Sequence, residues 1–313
     1  MKVALITADE PGRVPQQYLE EIRQAGISLK CKNCQTPAEL IALAADADVL
    51  WLFGRSPALN DAVLEQLPNC KAIFRSGSGV DALPWKRATE LGIAICNNPD
   101  CIAEAVAEHG VAMLLALAKQ LQRQQAAISA GLWPGEREFL ALHISGRCLG
   151  LIGYGRIARL VEKMLSGFNL QVLHHDPMSK NSCSLEKIYA QADFISIHCP
   201  LTEHTRGLIG AQQFTQMKKS ALLLNTARGA IVEQQALIEA LQKQRIAGAA
   251  LDVFEPSPLP KDSELRKMPN VILSPHVAAF TDRFDENFWS SSVRKLEELQ
   301  KGDYAAQSLN LNI

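Results

Sequence analysis

The stretch from Cys148 to Asp176 constrains this chain more than any other. An apolar run, Cys148–Ile152, leads into Gly150-Leu-Ile-Gly153-Tyr-Gly155-Arg-Ile-Ala158, and a helical pattern follows over 156–167. Gly153 permits a tight turn, Gly155 lets the backbone approach a pyrophosphate, and a small residue at 158 lets helix and strand pack closely. The helix N-terminus adds amide donors and the positive end of its dipole. The next apolar run, Gln171–His175, ends at Asp176, 21 residues beyond Gly155. An acid at that distance suits the ribose hydroxyls of an adenine dinucleotide. The bland alternative is a tight turn followed by a surface acid, but strand, turn, helix and acid in register favour the dinucleotide. A carboxylate repels a 2′-phosphate, so NAD is expected over NADP. His174, His175 and Lys180 stand close enough in sequence to soften that preference.

The rest of the chain repeats the same strand–helix rhythm. Strands are expected at Lys2–Thr7, Asp48–Phe53, Lys71–Arg75 and Ile93–Cys96, with helices near 15–25, 37–46, 59–67 and 83–91. A long helical stretch from Ile102 to Ala130 interrupts the series. It resumes with strands at 148–152, 171–175, 194–198, 221–225, 248–253 and 271–273, and helices at 156–167, 184–191, 211–217, 233–243 and 284–301. Such apolar strands have no wet face, which predicts parallel sheets covered on both sides. A length of 313 residues suits two such units.

Several partners are not expected. The formal net charge is −1, without the basic excess that phosphate backbones demand. No run reaches the ~18 uninterrupted apolar residues of a membrane span. The most apolar stretch is broken by Glu104, Glu108 and His109, and the N-terminus is too short in apolar residues for a signal peptide. The protein is therefore expected in the cytoplasm. The eight cysteines form no repeat. The single CxxC, Cys31 to Cys34, has no second pair, so no metal site is expected.

Three further constellations sit where parallel sheets place ligands, directly after strands. Asn225-Thr-Ala-Arg228-Gly229 offers an Arg that can fork onto a carboxylate; its bland reading is an Arg paired with a surface acid. Ser274-Pro275-His276 offers a general acid/base near neutral pH, or a structural histidine. Arg75-Ser-Gly77-Ser78-Gly79-Val-Asp81 offers exposed amides for an anion, or a plain glycine turn.

Together and in this order, these blocks resemble the D-isomer-specific 2-hydroxyacid dehydrogenase family. The matching blocks are RSGSGVD (75–81), EAVAEHGVAMLLAL (104–117), LGLIGYGRIA (149–158), HCPLTEHTRGLI (198–209), MKKSALLLNTARGAIVEQQALIEAL (217–241), GAALDVFEP (248–256) and SPHVAAFT (274–281). The first 70 residues match only in strand–helix pattern.

The resemblance implies an α/β fold of two Rossmann-like, doubly wound domains with parallel sheets and a cleft between them. A flavodoxin-like substrate-binding domain would take 1–97 plus 280–313, and an NAD-binding domain 98–279. It implies a homodimer through the NAD-binding domain, with residues 110–145 wrapping the partner. It implies hydride transfer between NAD(H) and C2 of a small 2-oxo or 2-hydroxy acid such as glyoxylate or hydroxypyruvate. Phosphoglycerate is less favoured, because the chain leaves no room for a regulatory tail. Carried over by motif, Gly153, Gly155, Arg156 and Ile157 meet the pyrophosphate, Asp176 the ribose, and Pro200 and Thr205 the adenine side. Val106, Thr226, Ala227, Asp252 and Ala278 border the nicotinamide, next to Arg228 and His276. Ser78 and Gly79 bind the substrate carboxylate through amides, with Arg75 as helper. Arg228 polarises the substrate and His276 moves the proton.

One departure stands out. The family commonly carries DVFExEP, whose second Glu pairs with the catalytic histidine. Here the run is DVFEPSP, so Ser257 takes that place as a catalytic-loop residue, and Asp262 and Glu264 are the nearby acids able to substitute. A missing acid also suits an alternative of another class, an NADH-sensing co-repressor-type binding protein on the same fold.

Overall fold

The computed structural model describes residues 1–8, 14–133, 135 and 138–311. Two units are distinct, Met1–Ile102 with Asp282–Ile313, and Ala103–Thr281. In the first, β1 (Lys2–Leu5), α1 (Gln16–Gln24), β2 (Ser28–Cys31), α2 (Pro37–Ala44), β3 (Val49–Leu52), α3 (Asp61–Leu64), β4 (Ala72–Ser76), α4 (Trp85–Glu90) and β5 (Ala94–Asn98) alternate. The strands pair in parallel in the order β2-β1-β3-β4-β5. Alternate residues of each strand feed opposite layers. Val3, Leu5, Trp51 and Phe74 meet Tyr18 and Ile22 of α1 on one face; Ala4, Ile6, Leu50 and Ile73 meet Leu40, Val63 and Ala88 of α2–α4 on the other. Helix starts are locally specified. Thr36 and Glu39 form a capping box on α2, and Asn60 accepts from Val63 N at 3.1 Å at the start of α3.

The second unit begins within α5 (Asp100–Ala118) and continues through α6 (Leu121–Ser129), β6 (Cys148–Ile152), α7 (Arg156–Leu165), β7 (Gln171–His175), α8 (Leu185–Gln191), β8 (Phe194–Ile197), α9 (Ala211–Gln216), β9 (Leu222–Asn225), α10 (Gln234–Gln242), β10 (Gly248–Leu251) and β11 (Val271–Leu273). Its six parallel strands run β11-β10-β9-β8-β6-β7. The chain runs from β6 to β7 on one side and then crosses back to β8 on the other, so the switch point where doubly wound sheets bind ligands lies at the C-terminal ends of β6 and β8. By length and composition α5 is long and apolar enough to cross a bilayer. Half of it is buried, with Ala107, Met113, Leu114 and Leu117 packed on Leu149, Leu151, Phe194, Leu222 and Leu224. A last helix, α11 (Phe284–Gln300), belongs to the first unit, where Phe288, Trp289 and Leu296 join the layer of α1.

Three features differ from the sequence expectation. Strand β2 was not expected. Its SLKC pattern alternates exposed and half-buried residues because it is a polar sheet edge. The single helix over 102–130 is two: Gln120 adopts left-handed backbone (φ 56°), and Leu142 N bonds the freed Ala118 carbonyl at 2.9 Å. The tail folds onto β5, where Asn310 accepts from Ile95 N at 2.7 Å and Leu309 N donates to Ile95 O at 2.8 Å.

Candidate active site

The glycine turn follows β6 directly. Gly153 has φ 85°, and a Cβ there would come within 2.5 Å of Cys199 N, so only glycine lets this turn abut the end of β8. Gly155 precedes α7 in extended conformation, and a Cβ there would meet nothing within 4 Å. Arg156 and Ile157 open α7, whose first turn holds no acid to repel an anion. Ala158 is buried against β6, as close packing requires. Asp176 accepts from Tyr154 N at 2.7 Å through Oδ2 and from Met178 N at 2.9 Å through Oδ1. It thus clasps the glycine turn as well as facing it. The Tyr154 ring stacks on His174 at 3.8 Å between centroids. Pro200 and Thr205 come together, Thr205 Oγ1 donating to Pro200 O at 2.6 Å. At the end of β8, desolvation pushes the ring of half-buried His198 down to about 4, and its Nε2 pairs with Ser196 Oγ at 2.7 Å.

Strands β9, β10 and β11 end side by side and deliver the remaining motifs. Asn225, 1% exposed, shapes the next turn: its Oδ1 accepts from Ala227 N at 3.0 Å and its Nδ2 donates to Arg228 O at 2.9 Å. Arg228 Nη1 donates to Ala227 O at 2.8 Å. Gly229 lies so close to the Phe254 carbonyl that a Cβ would overlap it, which locks this turn against the 254–257 loop. Asp252, also 1% exposed, accepts three bonds: Ser274 Oγ at 2.6 Å and Val277 N at 2.9 Å on Oδ1, and Ala278 N at 3.1 Å on Oδ2. Between Ser274 and Val277, His276 is exposed and adopts left-handed backbone, φ 58°. Non-glycine residues held in this region concentrate at functional sites.

These features fit a bound dinucleotide. Thr226 turns its methyl toward Gly110 of α5, and its buried hydroxyl has no hydrogen-bond partner. Such an orphan is costly unless a ligand or water completes it. Val106, buried one turn before Gly110, lies on the same face of α5. Among the described residues no group of three metal-ligating side chains exists.

In the first unit, the loop after β4 is braced through its carbonyls. Arg75 Nη1 donates to Gly79 O and its Nε to Gly54 O at 3.4 Å, while Asn97 Nδ2 donates to Ser78 O at 2.8 Å. These bonds hold the carbonyls of Ser78 and Gly79 and so fix the course of the loop. Arg75 therefore shapes the loop, a role the sequence did not disclose. Leu52 and Trp289 are core, and Phe53 is half-buried.

Ser257 is exposed in the loop that packs on Gly229. Glu264 does not reach this side. Its carboxylate accepts from Gln242 Nε2 at the C-terminal end of α10, which leads into the start of β10, the sheet edge opposite the motifs. Asp262, two residues earlier, is exposed. Sequence reasoning missed Asn97, His109, Asn225 and Ser274. His109, Asn225 and Ser274 lay inside quoted blocks, but their partners are set by tertiary packing.

Residues 111–278 match the family model described as D-isomer specific 2-hydroxyacid dehydrogenase, NAD binding domain. The chain is 32% identical over 314 residues to a glyoxylate reductase of Korarchaeum cryptofilum, covering 96% of this chain and 94% of that one. It is 35% identical over 305 residues to a D-3-phosphoglycerate dehydrogenase of Methanocaldococcus jannaschii, covering 94% of this chain but only 57% of the relative. Among solved structures, a D-lactate dehydrogenase from Aquifex aeolicus complexed with NAD and lactic acid superposes with TM-score 0.82 at 26% identity, covering both chains completely. The glycine turn, the orphaned Thr226 hydroxyl and these likenesses agree, and the chain belongs to the D-isomer-specific 2-hydroxyacid dehydrogenase family of NAD-dependent oxidoreductases acting on CH–OH donors.

Proposed function

We propose that the chain reduces small 2-oxo acids of the glyoxylate and hydroxypyruvate kind, and oxidises the corresponding D-2-hydroxy acids, with NAD(H). The observation that carries this is the convergence at one sheet edge of the Arg228 turn, buried Asp252 and left-handed His276. The glyoxylate reductase of Korarchaeum, matched over nearly its full length, supports the small-substrate reading.

NADH, when bound, supplies a hydride to C2. Gly153, Gly155, Arg156 and Ile157 would hold the pyrophosphate, Asp176 the ribose, and Pro200 with Thr205 the adenine side. Val106, Thr226, Ala227, Asp252 and Ala278 would border the ring. Arg228 binds the carboxylate and polarises the C2 oxygen, and His276 gives that oxygen its proton in reduction and takes it back in oxidation. Ser78 and Gly79 offer amides to a carboxylate.

A homodimer through the second unit accompanies this reading. Helix α6 buries none of its residues, and Leu121, Ile128, Leu132, Trp133 (91% exposed) and Leu140 present apolar surface beside it. The buried thiols of Cys70, Cys96, Cys101, Cys148 and Cys199 suit a reducing compartment, the cytoplasm.

Steady-state NADH oxidation against glyoxylate, hydroxypyruvate, pyruvate and phosphohydroxypyruvate, repeated with NADPH, tests the activity. Turnover above about 1 s⁻¹ on a small oxo acid is expected. Turnover below that on every substrate supports the NADH-sensing alternative. Light scattering of wild type and Trp133→Asp tests the dimer.

A further inference from the structure

His109 is the one polar side chain on a stripe of α5 that otherwise carries Val106, Gly110 and Met113. These residues recur at helical spacing and face the strand ends. Val106 and Met113 are buried, Gly110 lies against Leu224 and Thr226, and the His109 side chain keeps 28% of its exposure. Its Nε2 lies 3.0 Å from Ser274 Oγ and 3.9 Å from Asp252 Oδ1.

The proton inventory fixes the direction of these bonds. Ser274 has one hydroxyl proton. Its candidate acceptors are Asp252 Oδ1 at 2.6 Å, His109 Nε2 at 3.0 Å and the Met113 sulfur at 3.7 Å, and the shortest contact, to a charged carboxylate, takes it. The Ser274 oxygen therefore accepts from His109, whose Nε2 must carry a proton. The chain runs from His109 Nε2–H to the Ser274 hydroxyl, and from that hydroxyl to the Asp252 carboxylate. The carboxylate in turn holds the amides of Val277 and Ala278. His276 lies between Ser274 and Val277, in left-handed backbone, a costly conformation that persists where its surroundings hold it.

We propose that His109 is a positioning residue for this reaction, acting through Ser274 and Asp252 to fix the backbone that carries His276. The proposal rests on the reading of His276 as the proton donor. Its own content is that a helix residue, separated from Ser274 by 165 positions, sets where that proton is delivered. Outer partners of catalytic groups typically contribute about 10–100-fold to activity.

The test uses full-length His109→Leu, His109→Gln, His109→Asn and Ser274→Ala, with His276→Gln as reference. Glutamine places its amide nitrogen where Nε2 stands; asparagine reaches only as far as Nδ1. We expect His109→Leu to lower kcat about 10–100-fold, with KM for the oxo acid and directly measured NADH affinity within about threefold of wild type. His109→Gln should restore kcat to within about threefold of wild type, and His109→Asn should not. Ser274→Ala should lower kcat to a similar extent, and adding His109→Leu to it should cost little more. A kcat within threefold of wild type in His109→Leu, or equal kcat in the Gln and Asn variants, overturns the proposal. If His109→Leu fails to fold, the Gln and Asn pair decides alone. A His276→Gln enzyme with near-wild-type kcat instead overturns the reading of His276, whatever the His109 variants do.

Discussion

Asp252 and Ala278 are joined by a 3.1 Å bond from a backbone amide to a buried carboxylate, and Val277 N adds a second at 2.9 Å. The carboxylate thus anchors the segment just after His276 from the end of a neighbouring strand. Asp252→Asn turns one acceptor oxygen into a donor facing N–H or O–H donors. Leaving buried groups unsatisfied costs about 1–3 kcal/mol. We expect a thermal midpoint several degrees lower and kcat reduced at least about tenfold. An Asn variant with wild-type kcat would detach Asp252 from the placement of His276.

Arg228 and Arg75 should respond differently. Arg228 is assigned to the substrate carboxylate, and removing one side of a desolvated charge pair costs about 2–5 kcal/mol. Arg228→Ala should therefore lower kcat/KM at least about a hundredfold. Arg75 braces the carbonyls of Gly54 and Gly79, so Arg75→Ala should mainly raise KM, by about tenfold, with kcat within threefold. Equal, small losses in kcat/KM for both would remove the role assigned to Arg228.

Asp176, assigned to the ribose, also accepts from Tyr154 N and Met178 N. Asp176→Ala should lower the NADH-to-NADPH ratio of kcat/KM at least about tenfold, as expected when a carboxylate that repels a 2′-phosphate is removed. It should also cost some stability through the loosened glycine turn. A wild-type enzyme that already prefers NADPH would contradict the assignment.

Read by its place in the run DVFEPSP, Ser257 is assigned the position of the glutamate that pairs with the catalytic histidine in the family pattern. Ser257→Glu should stabilise the imidazolium of His276 and move the alkaline fall of the reduction rate upward by about one pH unit, or about 1.4 kcal/mol of coupling. Overlapping profiles for wild type and variant would remove Ser257 from the proton-transfer loop.

His198 should give the fold an acid-side weakness. Its ring sits at about 4 when folded, against an ordinary 6.5, because desolvation disfavours the cation. The unfolded chain therefore binds a proton first. Stability should be full above pH 6.5 and fall by up to about 3 kcal/mol as pH drops to 4. Glu39 and Asp46 are held down at about 2, Glu39 mainly by the Gln35 amide and Asp46 by Lys30, so their contributions are lost only at lower pH. Thermal midpoints between pH 7 and 4 should flatten in His198→Gln; an unchanged slope would place the sensitivity elsewhere.

The amino-acid sequence by itself determined the strand–helix alternation, the glycine turn and the order of the motifs. Each of these is written in neighbouring residues. Fully buried strands such as FISI and LLLN have no polar face, and the spacing from Gly153 to Asp176 lies within one strand–helix–strand unit. Tertiary structure decided what neighbours cannot encode. Strand β2 is too polar to announce itself and exists because β1 offers it an edge. The helix expected over 102–130 breaks at Gln120 because Leu142 crosses the end of α5. Glu264, near the motifs in sequence, is carried to the opposite edge of the sheet. The links from His109 to Ser274 and from Asn310 to Ile95 span 165 and 215 positions. Such partners meet only after the sheets have formed, because no local periodicity records which strand ends will become neighbours.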